Sequence, residues 1–495
     1  MSNVNVAVSR PAEGARRATG AGPETETFAI YASHFLQFKS VSNEIVLREK
    51  LKIRHRSKIK MRSYIFAIAL TLLLLSCSNV LLINQRLSIS AGTSNLFGPR
   101  DFALLLILAL ALPIYKRLLI IAKRSFSWCI CIAVVCLTFV YSAITAIQGA
   151  FVPGLDGRQV AAELAALASW GLPGVVAAHV TSWNELRKWL WIMTGLGILV
   201  AAGSVVEVFT GQPIVTGSAS IATLTAESSY RRSTPSCWPL IMIAGSSLMA
   251  FMAGGQFGHL GSRLLLWGGL IFILFAAFLT QSRTLVLGLI ASAIGLVLVA
   301  GRSTSRVFGV LVFGGVPLVG AISSGLVSKL MGYDVGSWFA DRMSMVWIPG
   351  RLVEYAPRDE RLFEFQDAWE TREHWLMFGA GLGHSYAVDT STNKTLASFL
   401  HNVFLHFATR FGIAGILLFG LFALATLRTA LRVALAKGPA EQLRLAVALS
   451  VFNLFVCSQF GNVFAMTYMA PVGMTLCGLL ISAQGLLRNC KQTAA

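Results

Sequence analysis

Apolar runs long enough to cross a bilayer recur along this chain, and they limit its fold more than any motif does. A hydrocarbon core needs roughly 20 apolar residues per helical crossing. Runs of this kind fall near 64–84, 101–115, 126–148, 160–179, 188–209, 237–254, 263–280, 284–300, 306–323, 401–427, 442–460 and 463–486. They are continuous rather than alternating, which argues against a transmembrane barrel. Charged residues make up only 13% of the 495, with mean hydropathy +0.68, whereas a soluble chain carries about a quarter. The expected fold is therefore all-α: a polytopic helical membrane protein with about twelve spans.

The net charge of +19 raises nucleic acid as a partner, but the basic residues flank the apolar runs, as the positive-inside rule requires. The largest block, Arg48 to Arg62 (REKLKIRHRSKIKMR), has no interleaved aromatics and reads as a lipid-facing anchor. We therefore expect a bilayer, and no nucleic acid, as partner. The eight cysteines lie mostly inside or beside apolar runs, where Cys acts as a small hydrophobe. Cys129-Ile-Cys131 lacks zinc or redox spacing, and no disulfide framework is expected. The first 30 residues contain no apolar core, so a cleaved signal peptide is not expected.

Four segments follow. Residues 1–60 form a basic tail, largely disordered, with a short amphipathic helix near 28–38. Residues 61–323 hold nine spans. Residues 324–400 form one large loop containing helices, and residues 401–495 hold the last three spans and a short tail. With the N-terminal tail inside, Lys116, Arg117, Lys123, Arg124, Arg187, Lys188, Arg263, Arg302, Arg306, Arg428, Arg432, Lys437 and Arg444 all fall on cytoplasmic connections. Arg488 and Lys491 at the other terminus fall inside as well. An odd number of spans breaks this agreement in the second half.

The two long connections, 210–236 and 324–400, then face outward, and connections of that length are commonly functional. Within the second, RDERLFEFQDAWETREHWL (Arg358 to Leu376) has helical periodicity. Leu362, Phe365, Trp369 and Leu376 share a face suited to a membrane surface.

Candidate chemistry gathers at the outward ends. Arg283, in the turn Thr280-Gln-Ser-Arg-Thr284, is costly there unless it meets an anion or reaches headgroups. His401-Asn402 stands at the head of a long apolar helix, where free N–H groups and the dipole favour an anion and a neutral imidazole. Such an imidazole serves as general base toward a hydroxyl or as a satisfied interfacial histidine. His406, five residues on, lacks the i, i+4 spacing of a helical zinc site, and no metal is expected.

Gly379-Ala-Gly381-Leu-Gly383 is reminiscent of a dinucleotide fingerprint, but no strand precedes it and no βαβ unit surrounds it. These glycines fit a sharp turn beside the site. Arg361 and Arg372 are candidate forks for a pyrophosphate or part of an ion-paired surface with Asp359, Glu360, Glu364 and Glu370. Arg410 is either a structural intramembrane partner or lines a cavity. Arg231-Arg232 forms a second cationic patch in the first long loop, for lipid or phosphate.

Taken in order, these pieces resemble the O-antigen ligase and O-antigen/exopolysaccharide polymerase superfamily. The resemblance rests on Thr280-Gln-Ser-Arg283-Thr, the long loop with Arg361 and Trp369, Phe378-Gly-Ala-Gly-Leu-Gly383, Ser398-Phe-Leu-His401-Asn402 and Phe411-Gly-Ile-Ala-Gly415. It covers about 260–430. The segment from Arg231 to Trp238 departs from the Gly/Pro-Asn pattern of such proteins.

The resemblance implies a GT-C-like enzyme of the bacterial inner membrane, with both termini cytoplasmic and a periplasmic site. The donor it implies is a polyprenyl-pyrophosphate-linked glycan, used without metal, nucleotide sugar or other cofactor. It further implies His401 and Arg283 as catalytic, Arg361, Arg372 and Arg232 as pyrophosphate-binding, and Asn402, Gly381 and Gly383 as supporting. Chain-length regulators and other assembly proteins are the partners it implies. Polymerase is the favoured activity. The alternatives are ligation of glycan to lipid A core and, from another class, a lipid-linked oligosaccharide flippase, which calls for internal repeats.

Overall fold

The computed structural model describes residues 61–78, 89–91, 94–149, 157–210, 214–215, 237–254, 260–280, 282–300, 325, 328–329, 360–383, 386–390, 393–397, 400–459 and 461–494. Two compact units divide the chain, Met1–Tyr64 and Ile65–Ala495, and the architecture that follows is that of the second. The expected N-terminal tail, its short helix and the run at 306–323 lie outside the described residues.

The bundle opens with the part of α1 (Met61–Ser78) from Ile65 onward and a small hairpin, β1 (Ile89–Ala91) with β2 (Ser94–Phe97). Then come α2 (Pro99–Ala109), α3 (Tyr115–Arg124), α4 (Phe126–Gly149), α5 (Gly157–Ala168), α6 (Leu172–His179), α7 (Trp183–Thr210), α8 (Trp238–Gly254), α9 (Leu260–Leu279) and α10 (Arg283–Ala300). The large loop contributes α11 (Glu360–Glu370), α12 (Arg372–Trp375) and a second antiparallel hairpin, β3 (Tyr386–Thr390) with β4 (Asn393–Ala397). The chain closes with α13 (Val403–Leu435), α14 (Glu441–Cys457) and α15 (Ala470–Ala494).

Among the described residues seven helices are long and apolar enough to cross a membrane, and three apolar helices are shorter: Trp238–Ala253, Leu264–Leu279 and Thr284–Val299. The chain thus has the make-up of a helical membrane protein. Burial sorts the helices by position. In α8 every residue from Trp238 to Phe251 is buried, and α15 has 83% of its apolar window buried. The segment Pro99–Arg124 has only 11% buried and exposes Phe102, Leu105, Leu112 and Leu119. Apolar side chains turned outward are what lipid as solvent allows.

Proline sets three departures from the expected spans. The run at 101–115 continues to Arg124, broken by a 3₁₀ turn at Leu112–Ile114 around Pro113. The run at 160–179 is interrupted by a 3₁₀ turn at Ser169–Gly171, after which Pro173 opens α6. The run at 463–486 becomes helical only at Ala470, with Pro471 second. Each proline lacks an N–H and sits best in the first turn of a helix. The carbonyls freed by the last break need partners, and the Trp170 indole N–H donates to the Phe464 carbonyl (3.0 Å).

Polar contacts tie the apolar helices together. Asn453 of α14 donates to Ser246 Oγ of α8 (3.1 Å), which pairs with Ser292 Oγ of α10 (2.7 Å). Interhelical hydrogen bonds of this kind are a usual glue where all surroundings are apolar. Beneath the head of α13 lies an aromatic cluster, with Trp170 4.7 Å from Phe422 and Phe455 4.8 Å from Phe464, ring to ring. It fixes the floor on which the candidate site stands.

Candidate functional site

The head of α13 is locked before any chemistry is asked of it. Asn402 is the N-cap: its side-chain oxygen accepts from the Leu405 N–H (3.0 Å), satisfying one of the orphan donors of the first turn. Its amide nitrogen donates to Gln459 Oε1 (3.3 Å), and the Val403 N–H donates to the Ser458 carbonyl (3.3 Å). Asn462 donates to the Leu400 carbonyl (3.1 Å). Residues 400–403 are thus pinned on both sides to the turn that ends α14.

His401 sits on that pinned segment and faces Glu364 of α11. One carboxylate oxygen accepts from the His401 backbone N–H (3.0 Å) and the other meets His401 Nδ1 at 2.7 Å. The carboxylate side chain is 5% exposed and the imidazole 27%. A carboxylate at Nδ1 selects the tautomer with the proton on Nδ1, so Nε2 is the basic nitrogen. The sequence pattern puts Glu364 with the other acids of a surface; the fold buries it. Its helical neighbour Ala368 is fully buried, while Phe365 and Trp369 on the other face are exposed. The i, i+4 relation of Glu364 to Ala368 is the one local signal that they share a buried stripe.

The glycine segment lies against a break in α13. Gly412 has φ +63° and ψ −146°, outside helical space. Across the break, the Ala380 N–H donates to the Thr409 carbonyl (2.7 Å), the Gly381 N–H to the Arg410 carbonyl (3.3 Å), and the Ile413 N–H to the Leu376 carbonyl (2.9 Å). The loop therefore supplies the hydrogen bonds that the helix forfeits, the condition under which irregular backbone survives among membrane helices. Gly379, Gly381 and Gly383 all have positive φ. At Gly379 and Gly412 a side chain is excluded twice, by φ and by the opposing backbone: a Cβ on Gly379 would meet the Arg410 carbonyl and one on Gly412 the Met377 carbonyl.

Below this junction is a buried ion pair. Glu163 of α5 meets Arg410 of α13 at 2.5 Å, with side chains 9% and 0% exposed, and its other oxygen accepts from the Gly383 N–H (3.0 Å). The partner that an intramembrane Arg410 calls for is thus Glu163, which sequence reasoning passed over. It is the one acidic residue in the apolar run 160–179, and that isolation is the signal that would have found it.

The other expected site residues are placed as follows. Arg283 begins α10, and Ser282 Oγ accepts from Leu285 N–H (3.4 Å) at that turn. The carbonyl of Thr284 accepts from Cys457 Sγ (3.6 Å), next to Ser458, which holds Val403. The turn carrying Arg283 and the segment carrying His401 therefore meet at the same end of α14. Arg361 lies one turn before Glu364 on α11. The side chains of Arg283 and Arg361 and the whole of Arg232 lie outside the described residues.

Arg372 is exposed and turned back on its own helix, donating to the Trp369 carbonyl (2.9 Å) with its guanidinium 5.0 Å from the Trp369 ring centre. Among the described residues no group of three or more His, Cys, Asp or Glu could hold a metal ion. Compared with known proteins, the chain matches no family model and no curated protein.

Proposed function

We propose that this protein is an inverting glycosyltransferase of the bacterial inner membrane that polymerises polyprenyl-pyrophosphate-linked repeat units at its periplasmic face. The observation that carries the reading is the His401–Glu364 pair: an imidazole held at backbone and ring by one buried carboxylate, at the head of a membrane helix. That arrangement suits a general base for a hydroxyl. The ordered resemblance to the O-antigen ligase and polymerase superfamily supports the same chemistry and supplies the donor class.

The step balances without a metal or cofactor. The acceptor hydroxyl gives its proton to His401 Nε2 as its oxygen attacks the anomeric carbon. The bond from that carbon to the pyrophosphate oxygen breaks on the opposite face, with inversion. Polyprenyl pyrophosphate leaves with an added negative charge. In this reading Arg283 and Arg361 meet that charge, and Asn402, Gly381 and Gly383 hold the backbone around it.

The test is a glycan profile in a deletion strain complemented with wild type or His401→Ala. Single repeat units alone, without the active protein, are the expected result. Long polymer that stays on the carrier lipid and never reaches lipid A core would make it the ligase of the same superfamily. Unchanged glycans in every strain would overturn the enzyme reading.

A further inference from the structure

At the end of α4 away from the glycine loop, the structure has a cavity. It measures about 170 Å³ and lies between the C-terminal end of α3, the end of α6 and the Ile481–Asn489 stretch of α15. One water needs only ~10–15 Å³ of such space, so a group of several heavy atoms fits. Its lining includes the apolar Ile120, Ile121, Val180 and Ile481 together with Arg124 and Arg488.

Two arginines line this cavity. Arg488 Nη1 donates to the Arg124 backbone carbonyl (2.9 Å), which brings its positive charge onto the end of α3 beside Arg124 itself. No Asp or Glu lines the cavity, and among the described residues neither arginine has a carboxylate within ion-pair distance. Glu185, four residues beyond the lining residue Thr181, is engaged with the N–H groups of Thr181 (2.7 Å) and Ser182 (3.1 Å) at the start of α7. Two exposed arginines on a cavity with apolar lining and no acid of its own suit an anion.

The surroundings say which anion. Helix α3 buries none of its residues, exposes Tyr115, Leu119 and Ile120, and carries Lys116, Arg117, Lys123 and Arg124. An apolar outer face with a basic border is the pattern of a helix at a membrane interface, and basic pockets between membrane helices suit acidic headgroups. We propose that this cavity is a binding site for an anionic phospholipid. Its phosphate sits between Arg124 and Arg488, and its chains follow the apolar surface of α3. The proposal is independent of the glycosyltransferase reading.

The experiment uses the full-length protein, purified and depleted of lipid, probed with phosphatidylglycerol, phosphatidylcholine or inorganic phosphate by native mass spectrometry and thermal unfolding. Phosphatidylglycerol is expected to remain bound and to raise the melting temperature, while the other two do neither. Arg124→Ala/Arg488→Ala should bind it roughly thirtyfold more weakly. Arg124→Lys/Arg488→Lys should keep most of the binding, which shows that loss in the alanine variant is not misfolding. Arg428→Ala/Arg432→Ala, a basic pair that does not line the cavity, should bind as wild type does. Equal retention of phosphatidylcholine, a shift with inorganic phosphate alone, or equal loss in the α13 pair would overturn the site.

Discussion

Glu364 grips His401 by two atoms at once, and this decides what a single substitution there does. Glu364→Gln keeps size and one acceptor but offers Nδ1 an amide N–H donor, which reverses the tautomer and moves the proton to Nε2. The base is then lost although the fold is kept. Transfer is expected to fall by a factor within the ~10²–10⁴ that a positioned general base contributes, with donor KM unchanged; His401→Ala should fall in the same range. The check is a reconstituted transfer assay at matched protein amounts. Equal activity of Glu364→Gln and wild type would remove the dyad from the mechanism. His401-Asn402 is legible in the sequence because a polar pair stands at the head of an apolar run, and the N-cap rule alone gives Asn402 its role. Glu364 is not, since the contact joins residues 37 apart, and the chain offers several equivalent acids in that stretch.

At the scale of elements, the decisive feature is the exchange of hydrogen bonds between the glycine loop and the broken α13, with Glu163–Arg410 beneath it. Removing one member of a buried pair strands the other charge, at a cost of about 3–5 kcal/mol, whereas replacing both with apolar residues of similar size is often neutral. Glu163→Ala should therefore unfold at markedly lower temperature, and Glu163→Leu/Arg410→Met should recover most of the loss. Thermal unfolding in detergent reads this directly, and a double variant as unstable as the single one would contradict it. Gly412→Ala should likewise destabilise, because the positive φ and the Met377 carbonyl both exclude a Cβ. The turn at 379–383 is legible from its glycines. The break at Gly412 is not: Phe411-Gly-Ile-Ala-Gly415 continues an apolar run, and only the loop pressed against it supplies the hydrogen bonds that make a break tolerable. Helix positions follow from hydropathy, while three interruptions follow from prolines and that of α13 from Gly412.

The unit Ile65–Ala495 is polarised along α4. Its 24 residues run about 36 Å, from the arginine-lined cavity behind Ser125 toward the glycine loop, where Tyr141 OH donates to the Phe378 carbonyl. Lys437 precedes α14 and Arg444 lies in its first turn, whereas Ser458 at its other end holds Val403, so His401 lies across the length of α14 from them. In the proposed orientation, the positive-inside rule puts the two ends on the two sides of the membrane. Surface labelling of intact cells tests this with an impermeant thiol reagent, in a background lacking Cys129, Cys136 and Cys490. Met377→Cys, beside the loop and 66% exposed, should react from outside. Lys437→Cys, exposed at the other end, should react only after the membrane is opened. The reverse result would turn the molecule over and put His401 on the cytoplasmic side, away from a donor presented at the periplasmic face; the proposed reaction would then have no route to its substrate.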